Sequence, residues 1–129
     1  MKLMIVDDHT ESRALIRQVL APFAVEICEC ASGEEAVQRT PEFRPQFVTM
    51  DLHMQSMGGL EATRRILALQ PSAHVVVVTQ SGNPLVRAAA TKSGARRFIL
   101  KDELDQLSEH LQRFIVSPDA GGDPTTNLR

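Results

Sequence analysis

Short apolar runs alternate with helix-periodic segments from one end of the chain to the other, and this alternation restricts the fold more than any other feature. The runs cover residues 3–6, 25–30, 47–50, 75–78 and 98–100. Each is followed by a stretch with apolar side chains at helical spacing, such as Leu15, Ile16, Val19 and Leu20 after the first, and Leu104, Leu107, Leu111 and Ile115 after the last. A strand followed by a helix, repeated along a chain, feeds a parallel sheet with helices on both faces. Five such units are present. The four consecutive valines at 75–78 suit a strand covered on both sides, which places it centrally.

Punctuation agrees with this division. Ser32-Gly33-Glu34-Glu35 reads as a capping box, and Asn83-Pro84 as an N-cap followed by proline at the first helical position. Asp102, with Glu103 and Asp105 behind it, reads as the N-cap of the last helix. The third helix is predicted from Gly59 to Leu69, because Pro71 cannot easily continue it. Beyond residue 116 the sequence turns to Pro, Gly, Asp and Thr with little to bury, which predicts a folded unit over 1–116 and a flexible tail or the start of a linker over 117–129.

Composition narrows the function. Lys and Arg total 14 against 16 Asp and Glu, a net charge of -2, so no overall basic field draws in nucleic acid or an anionic membrane. Trp and Tyr are absent, which removes most stacking platforms for single-stranded nucleic acid. No apolar run approaches the ~20 residues of a membrane span, and the reading is a cytoplasmic protein. Cys28 and Cys30 match neither a redox nor a zinc pattern and read as core thiols. His9, His53, His74 and His110 show no ligand spacing and read as exposed or capping residues. Arg64-Arg65 and Arg96-Arg97 read as solvated charges, and Met50, Met54 and Met57 as packing.

Chemistry concentrates just past the apolar runs. In an open parallel sheet, ligands bind beyond the carboxyl ends of the strands, and here those positions hold Asp7-Asp8, Asp51, Thr79 and Lys101. Any one of these acids alone is an ordinary turn or cap residue. Together, three carboxylates, a hydroxyl and an ammonium converge if the first, third, fourth and fifth strands are neighbours. Clustered carboxylates repel, and a hard divalent ion relieves them. Mg2+, which commonly joins one or two carboxylates to a phosphoryl group, fits this donor set, with Asp8 and Asp51 as direct ligands. Asp51 is also placed to attack phosphorus and form an aspartyl phosphate, with Lys101 and Thr79 stabilising the phosphoryl oxygens.

Over about residues 2 to 116 the chain resembles the response-regulator receiver domains of two-component signalling. The resemblance rests on Ile5-Val6-Asp7-Asp8, on Met50-Asp51-Leu52-His53-Met54 with Met57-Gly58-Gly59-Leu60-Glu61-Ala62, on Val78-Thr79, and on Gly94-Ala95-Arg96-Arg97-Phe98-Ile99-Leu100-Lys101-Asp102. It implies an α/β, flavodoxin-like doubly wound fold, with a five-stranded parallel sheet in the order 2-1-3-4-5 and five helices on both faces. It implies that Asp51 accepts a phosphoryl group from a sensor histidine kinase or phosphotransfer protein. Asp7, Asp8, Asp51 and the backbone carbonyl of His53 would bind Mg2+ directly or through water. Thr79 and Lys101 would hold the phosphoryl group, Thr79 and Phe98 would form the switch pair, and Phe98 would turn inward on phosphorylation. Such a chain catalyses nothing beyond its own phosphorylation and dephosphorylation, and signals through a downstream effector, an output domain or a phosphorylation-linked homodimer. The moving face would comprise the fourth helix, whose Ala88, Ala89 and Ala90 anchor it weakly, with the fifth strand and fifth helix.

Several residues depart from the family pattern. Gln55 stands where Pro is usual and Gly58 where Asp is usual, which frees the loop after Asp51. Gln80 replaces a small residue, so Gln80, with His53, is an expected modulator of access to Asp51. Asp102 follows Lys101 where Pro is common, a variant that looks like receivers preceding a helix-turn-helix output domain, and the Lys101 to Asp102 peptide bond is expected to be trans.

Two alternatives compete with a signalling switch. A magnesium-dependent phosphohydrolase of haloacid-dehalogenase type would need an Asp-x-Asp pattern, and the position two after Asp7 is His9. A phosphorylation-independent pseudo-receiver would be marked by loss of the acceptor or the lysine, and both Asp51 and Lys101 are present.

Overall fold

The structure, a computed structural model, describes residues 1–24, 26–80 and 82–117. Five strands, β1 (Lys2–Val6), β2 (Glu26–Cys30), β3 (Phe47–Met50), β4 (His74–Thr79) and β5 (Arg97–Leu100), pair in parallel in the order β2-β1-β3-β4-β5. Helices α1 (Thr10–Leu20), α2 (Gly33–Phe43), α3 (Gly59–Leu69), α4 (Pro84–Ser93) and α5 (Leu104–Val116) follow the strands in turn. The doubly wound order expected from the resemblance is therefore the observed one.

The core divides into two sides because β1, β3 and β4 are buried on both faces. On one side Leu3, Ile5, Phe47, Val76 and Val78 pack against Ile16 and Leu20 of α1 and Leu107, Leu111 and Phe114 of α5. On the other, Met4, Val6, Val48, Met50 and Val75 pack against Ala36 of α2 and Ala62 and Ile66 of α3, while Val77 and Phe98 meet Ala90 of α4. Cys28 and Cys30 are buried free thiols in the α2/α3 layer, as expected.

The caps of α2 and α4 form as read: Ser32 Oγ accepts from the Glu35 amide, and Asn83 Oδ1 from the Val86 amide. The Glu35 carboxylate reaches back to the Ala31 amide, one residue ahead of the cap. The start of α5 differs from expectation. Lys101 and Asp102 form a turn, the Glu103 amide bonds the Leu100 carbonyl, and Glu103, without a side-chain cap bond, occupies the N-cap in place of Asp102. The helix therefore starts at Leu104, and its inward stripe ends on Phe114 while Ile115 is 43% exposed. Leu15 likewise points outward from α1, at 54% exposure.

The largest correction concerns the histidines. His9 and His53 are exposed, but His74 and His110 are buried, at 2% and 1% exposure. Each satisfies a ring nitrogen on the other, with Nε2 atoms 2.9 Å apart, which is why burial is possible. All described peptide bonds are trans, including that from Lys101 to Asp102. Val25, at the head of the predicted second strand, and 118–129, most of the predicted tail, lie outside the described residues. Among the described residues no helix is long and apolar enough to cross a membrane.

Candidate functional site

Sheet register assembles the site. Val6 pairs with Met50 and Thr79 with Leu100, so the residues that follow β1, β3 and β5 emerge side by side around the end of β4. Backbone bonds carry the ladder one step past the strands: the Asp51 amide donates to the Val6 carbonyl, and the Lys101 amide to the Thr79 carbonyl. Asp7, Asp51 and Thr79 are thereby fixed by main chain and buried at 0%, 2% and 0% exposure.

Lys101 is the hub. Its Nζ lies 2.8 Å from Asp7 Oδ2 and 3.4 Å from Asp51 Oδ2, and donates to Ser12 Oγ at 3.2 Å. Thr79 Oγ1 donates to Asp51 Oδ1 at 3.1 Å, and the His53 amide reaches the same oxygen at 3.4 Å. One donor atom each from Asp7, Asp8, His9 and Asp51 lies within 4.8 Å of the others. Burial, and then the Asp7 charge, push the Asp51 carboxyl above its ordinary value, against the opposing pull of Lys101, the His53 amide and Thr79. One ammonium against three carboxylates leaves surplus negative charge, and the buried Asp8 Oδ1 accepts no hydrogen bond, although His9 Nδ1 stands 3.0 Å away. A donor set dominated by carboxylate oxygens, one of them unsatisfied, suits a hard divalent cation such as Mg2+.

All five strand-end groups, Asp7, Asp8, Asp51, Thr79 and Lys101, are thus brought together. Gln80 and Lys101, with Ser12 and Asp102, line a cleft of about 450 Å³ on one flank. A second cleft of about 380 Å³ runs from Asp8 to Ser32, Glu34 and Gln55. Phe98 stands one strand away and is already buried at 9% exposure, with the Arg87 guanidinium 4.6 Å over its ring. A Cβ on Gly82 would lie 2.4 Å from Phe98 Cζ, so glycine there leaves the space that the ring occupies.

Three supporting roles escaped the sequence reading. Ser12 anchors Lys101, and Arg13 donates to the Asp7 carbonyl at 2.6 Å while its Nε bonds Glu29. Gly59 lets α3 start against the Asp51 carbonyl, which a Cβ would approach to 2.1 Å. The adjacent glycines at 58 and 59 were the signal for the last; a serine and an arginine in the first turns of a helix are too common to have been one.

Comparison with known proteins agrees with this geometry. The model of the response regulator receiver domain matches residues 3–112. The chain is 36% identical over 115 residues to the chemotaxis protein CheY of Listeria monocytogenes, covering 88% of this chain and 97% of that protein. It is 34% identical to the response regulator GacA of Pseudomonas syringae, covering 78% of this chain and 48% of the relative. Among solved structures, a two-component response regulator of the LuxR family from Aurantimonas superposes with a TM-score of 0.80 at 26% identity, covering 89% of this chain and 84% of that one.

Proposed function

The chain belongs to the response regulator receiver-domain family, and from that premise we propose that Asp51 is its phosphoacceptor and residues 1–116 its receiver unit. Receiver domains are signalling switches of two-component systems rather than enzymes that turn over a small substrate. The observation that carries the assignment is the position of the Asp51 carboxylate, held between Lys101 Nζ at 3.4 Å and Thr79 Oγ1 at 3.1 Å at the mouth of the acidic cleft.

An Asp51 oxygen attacks phosphorus, the bond from phosphorus to the donor nitrogen of a kinase or phosphotransfer histidine breaks, and the electron pair leaves with the imidazole. Lys101 is already seated to neutralise the oxygen charge that develops, and needs no reorganisation to do so. Asp7, Asp8, Asp51 and the His53 backbone carbonyl would hold Mg2+, which supplies charge compensation between the carboxylates and the phosphoryl oxygens. Gln80, beside Lys101 in the flanking cleft, and the exposed His53 control the approach of donor and of hydrolytic water.

Thr79 reports the product. Once Asp51 is esterified, its hydroxyl donates to a phosphoryl oxygen instead of to Asp51 Oδ1. Phe98, buried against Gly82 and under the Arg87 guanidinium, is the ring that follows Thr79 as the phosphorylated population grows. The surface that reads it out is α4, β5 and α5, offered to an effector, an output domain or a second copy of the chain. The haloacid-dehalogenase reading finds no support: the chain carries His9 where that chemistry needs a second aspartate.

Incubation with phosphoramidate and Mg2+, read by intact mass, tests the proposal. One phosphoryl increment on the wild type and none on Asp51→Ala is the expected result, whereas equal uptake by both excludes Asp51.

A further inference from the structure

His74 and His110 take no part in the acidic cleft. His74 opens β4, and Thr79 closes it about 17 Å away at the usual rise of a strand. His110 projects from the middle of α5, and the two imidazoles meet through Nε2 atoms 2.9 Å apart. Aromatic rings surround the pair: Phe47 of β3 stacks on His74 at 5.3 Å, and Phe114 of α5 lies 4.6 Å from it. Two polar rings buried in such a cluster are a costly way to fill space unless each satisfies the other.

The contact has a strict proton inventory. One ring must present Nε2–H and the other a bare Nε2 lone pair, so the pair can carry no added proton or one. A second proton leaves two donors facing each other. A charge added to His74 also meets no anion among the described residues. The charges acting on it are those of His110 from α5 and Arg96 just ahead of β5, while Phe47 and Phe114 bring none. A cavity of about 410 Å³ reaches His74, and the other side chains lining it include Gln46, Gln70 and Ser72, all uncharged, together with Arg96 and Phe114.

We propose that the His74–His110 contact is a proton-sensitive latch, which holds α5 against β4 while the pair carries no more than one added proton and releases the helix when acid charges both rings. Burial, and then the His110 and Arg96 charges, hold His74 down to about 3 in the docked state. A histidine on a detached helix or strand protonates near its ordinary value of ~6.5. A depressed folded value means that docking is at full strength above about pH 6.5 and weakens as the pH falls from there toward 3. Each excluded proton lowers the docking constant about tenfold per pH unit in that window. Because α5 packs on one side of the sheet and supplies no strand to it, the helix can lift without unthreading the sheet, and it is part of the face proposed to carry the output. Acid then acts as a second input, and this inference does not rest on the assignment of Asp51.

Amide hydrogen exchange on the full chain, corrected for intrinsic rates, tests the latch at pH 7.5 and 5.5, with the double variant His74→Phe, His110→Phe as the form lacking it. The expected result is about a tenfold loss of protection across residues 104–116 at pH 5.5 in the wild type, no such loss in the variant, and unchanged protection in β1 and β3 in both. Equal loss in wild type and variant, or no loss in the wild type, overturns the latch. Should the double variant fail to fold, the imidazole resonances of the wild type decide. A His74 ring that stays neutral at pH 5.5 wherever α5 is docked supports the latch, and a ring that protonates near 6.5 with α5 still protected refutes it.

Discussion

Replacing Asp51 by asparagine is expected to stabilise the metal-free protein, because the acidic cleft is built for a cation and is strained without one. Donor atoms of Asp7 and Asp8 lie within 4.8 Å of Asp51, and at an effective dielectric of about 20 each repels it by at least about 3.5 kcal/mol. The Lys101 ammonium at 3.4 Å returns about 5 kcal/mol on the same scale. The surplus of about 2 kcal/mol opposes ionisation of Asp51 and adds to the burial that chiefly pushes its carboxyl up. The asparagine side chain would remove the repulsion but place amide hydrogens near Lys101, so the net gain is set at about 1–2 kcal/mol. Because the Asp51 carboxyl is raised in the folded state, its ionised form destabilises the fold at neutral pH, and the advantage of the variant shrinks as the pH falls and Asp51 protonates. Urea denaturation at pH 7.5 in a chelator, repeated with excess Mg2+, measures this directly. Mg2+ should raise the wild-type midpoint more than that of Asp51→Asn. An Asp51→Asn protein less stable than wild type in the chelator, or equal Mg2+ responses, refutes the strained-cleft argument.

Lys101→Ala leaves the buried Asp7 and Asp51 without their cation, and should lose about 3 kcal/mol at neutral pH, partly restored by Mg2+; the check is the same denaturation curve. The same variant should take up phosphoryl groups from phosphoramidate at least about tenfold more slowly, read as the rate of the mass increment. Gly82→Ala drives a Cβ into the Phe98 ring at 2.4 Å. The ring should move outward, seen as displaced Phe98 aromatic resonances, with a modest stability change because Phe98 sits at the margin of the core.

Most of the architecture was legible because it follows from local pattern. Runs such as 47–50 and 75–78 admit one conformation at their length, and their polar successors identify the carboxyl edge of the sheet before any coordinate is known. Asp102 misled because its type suits a helix cap, while the Leu100 carbonyl captures the Glu103 amide and delays the helix by one residue. Phe114 ends the inward stripe in place of Ile115 because the third residue after Leu111 falls as near the buried face as the fourth. The histidine pair was invisible for a different reason. Either residue alone would be costly to bury, and the partner that makes burial tolerable lies 36 positions away on another element. Ser12, Arg13 and Gly82 likewise carried no signal until the fold placed them against Lys101, Asp7 and Phe98.

The central claim is that Asp51, among three clustered carboxylates, is the one that forms a bond to phosphorus. Borohydride reduction of the phosphorylated protein converts an acyl phosphate to the alcohol and leaves free carboxylates intact, so peptide mass spectrometry can place the mark. The account predicts homoserine at position 51 and unmodified Asp7 and Asp8. A reduced residue at position 7 or 8, with Asp51 intact, would contradict it.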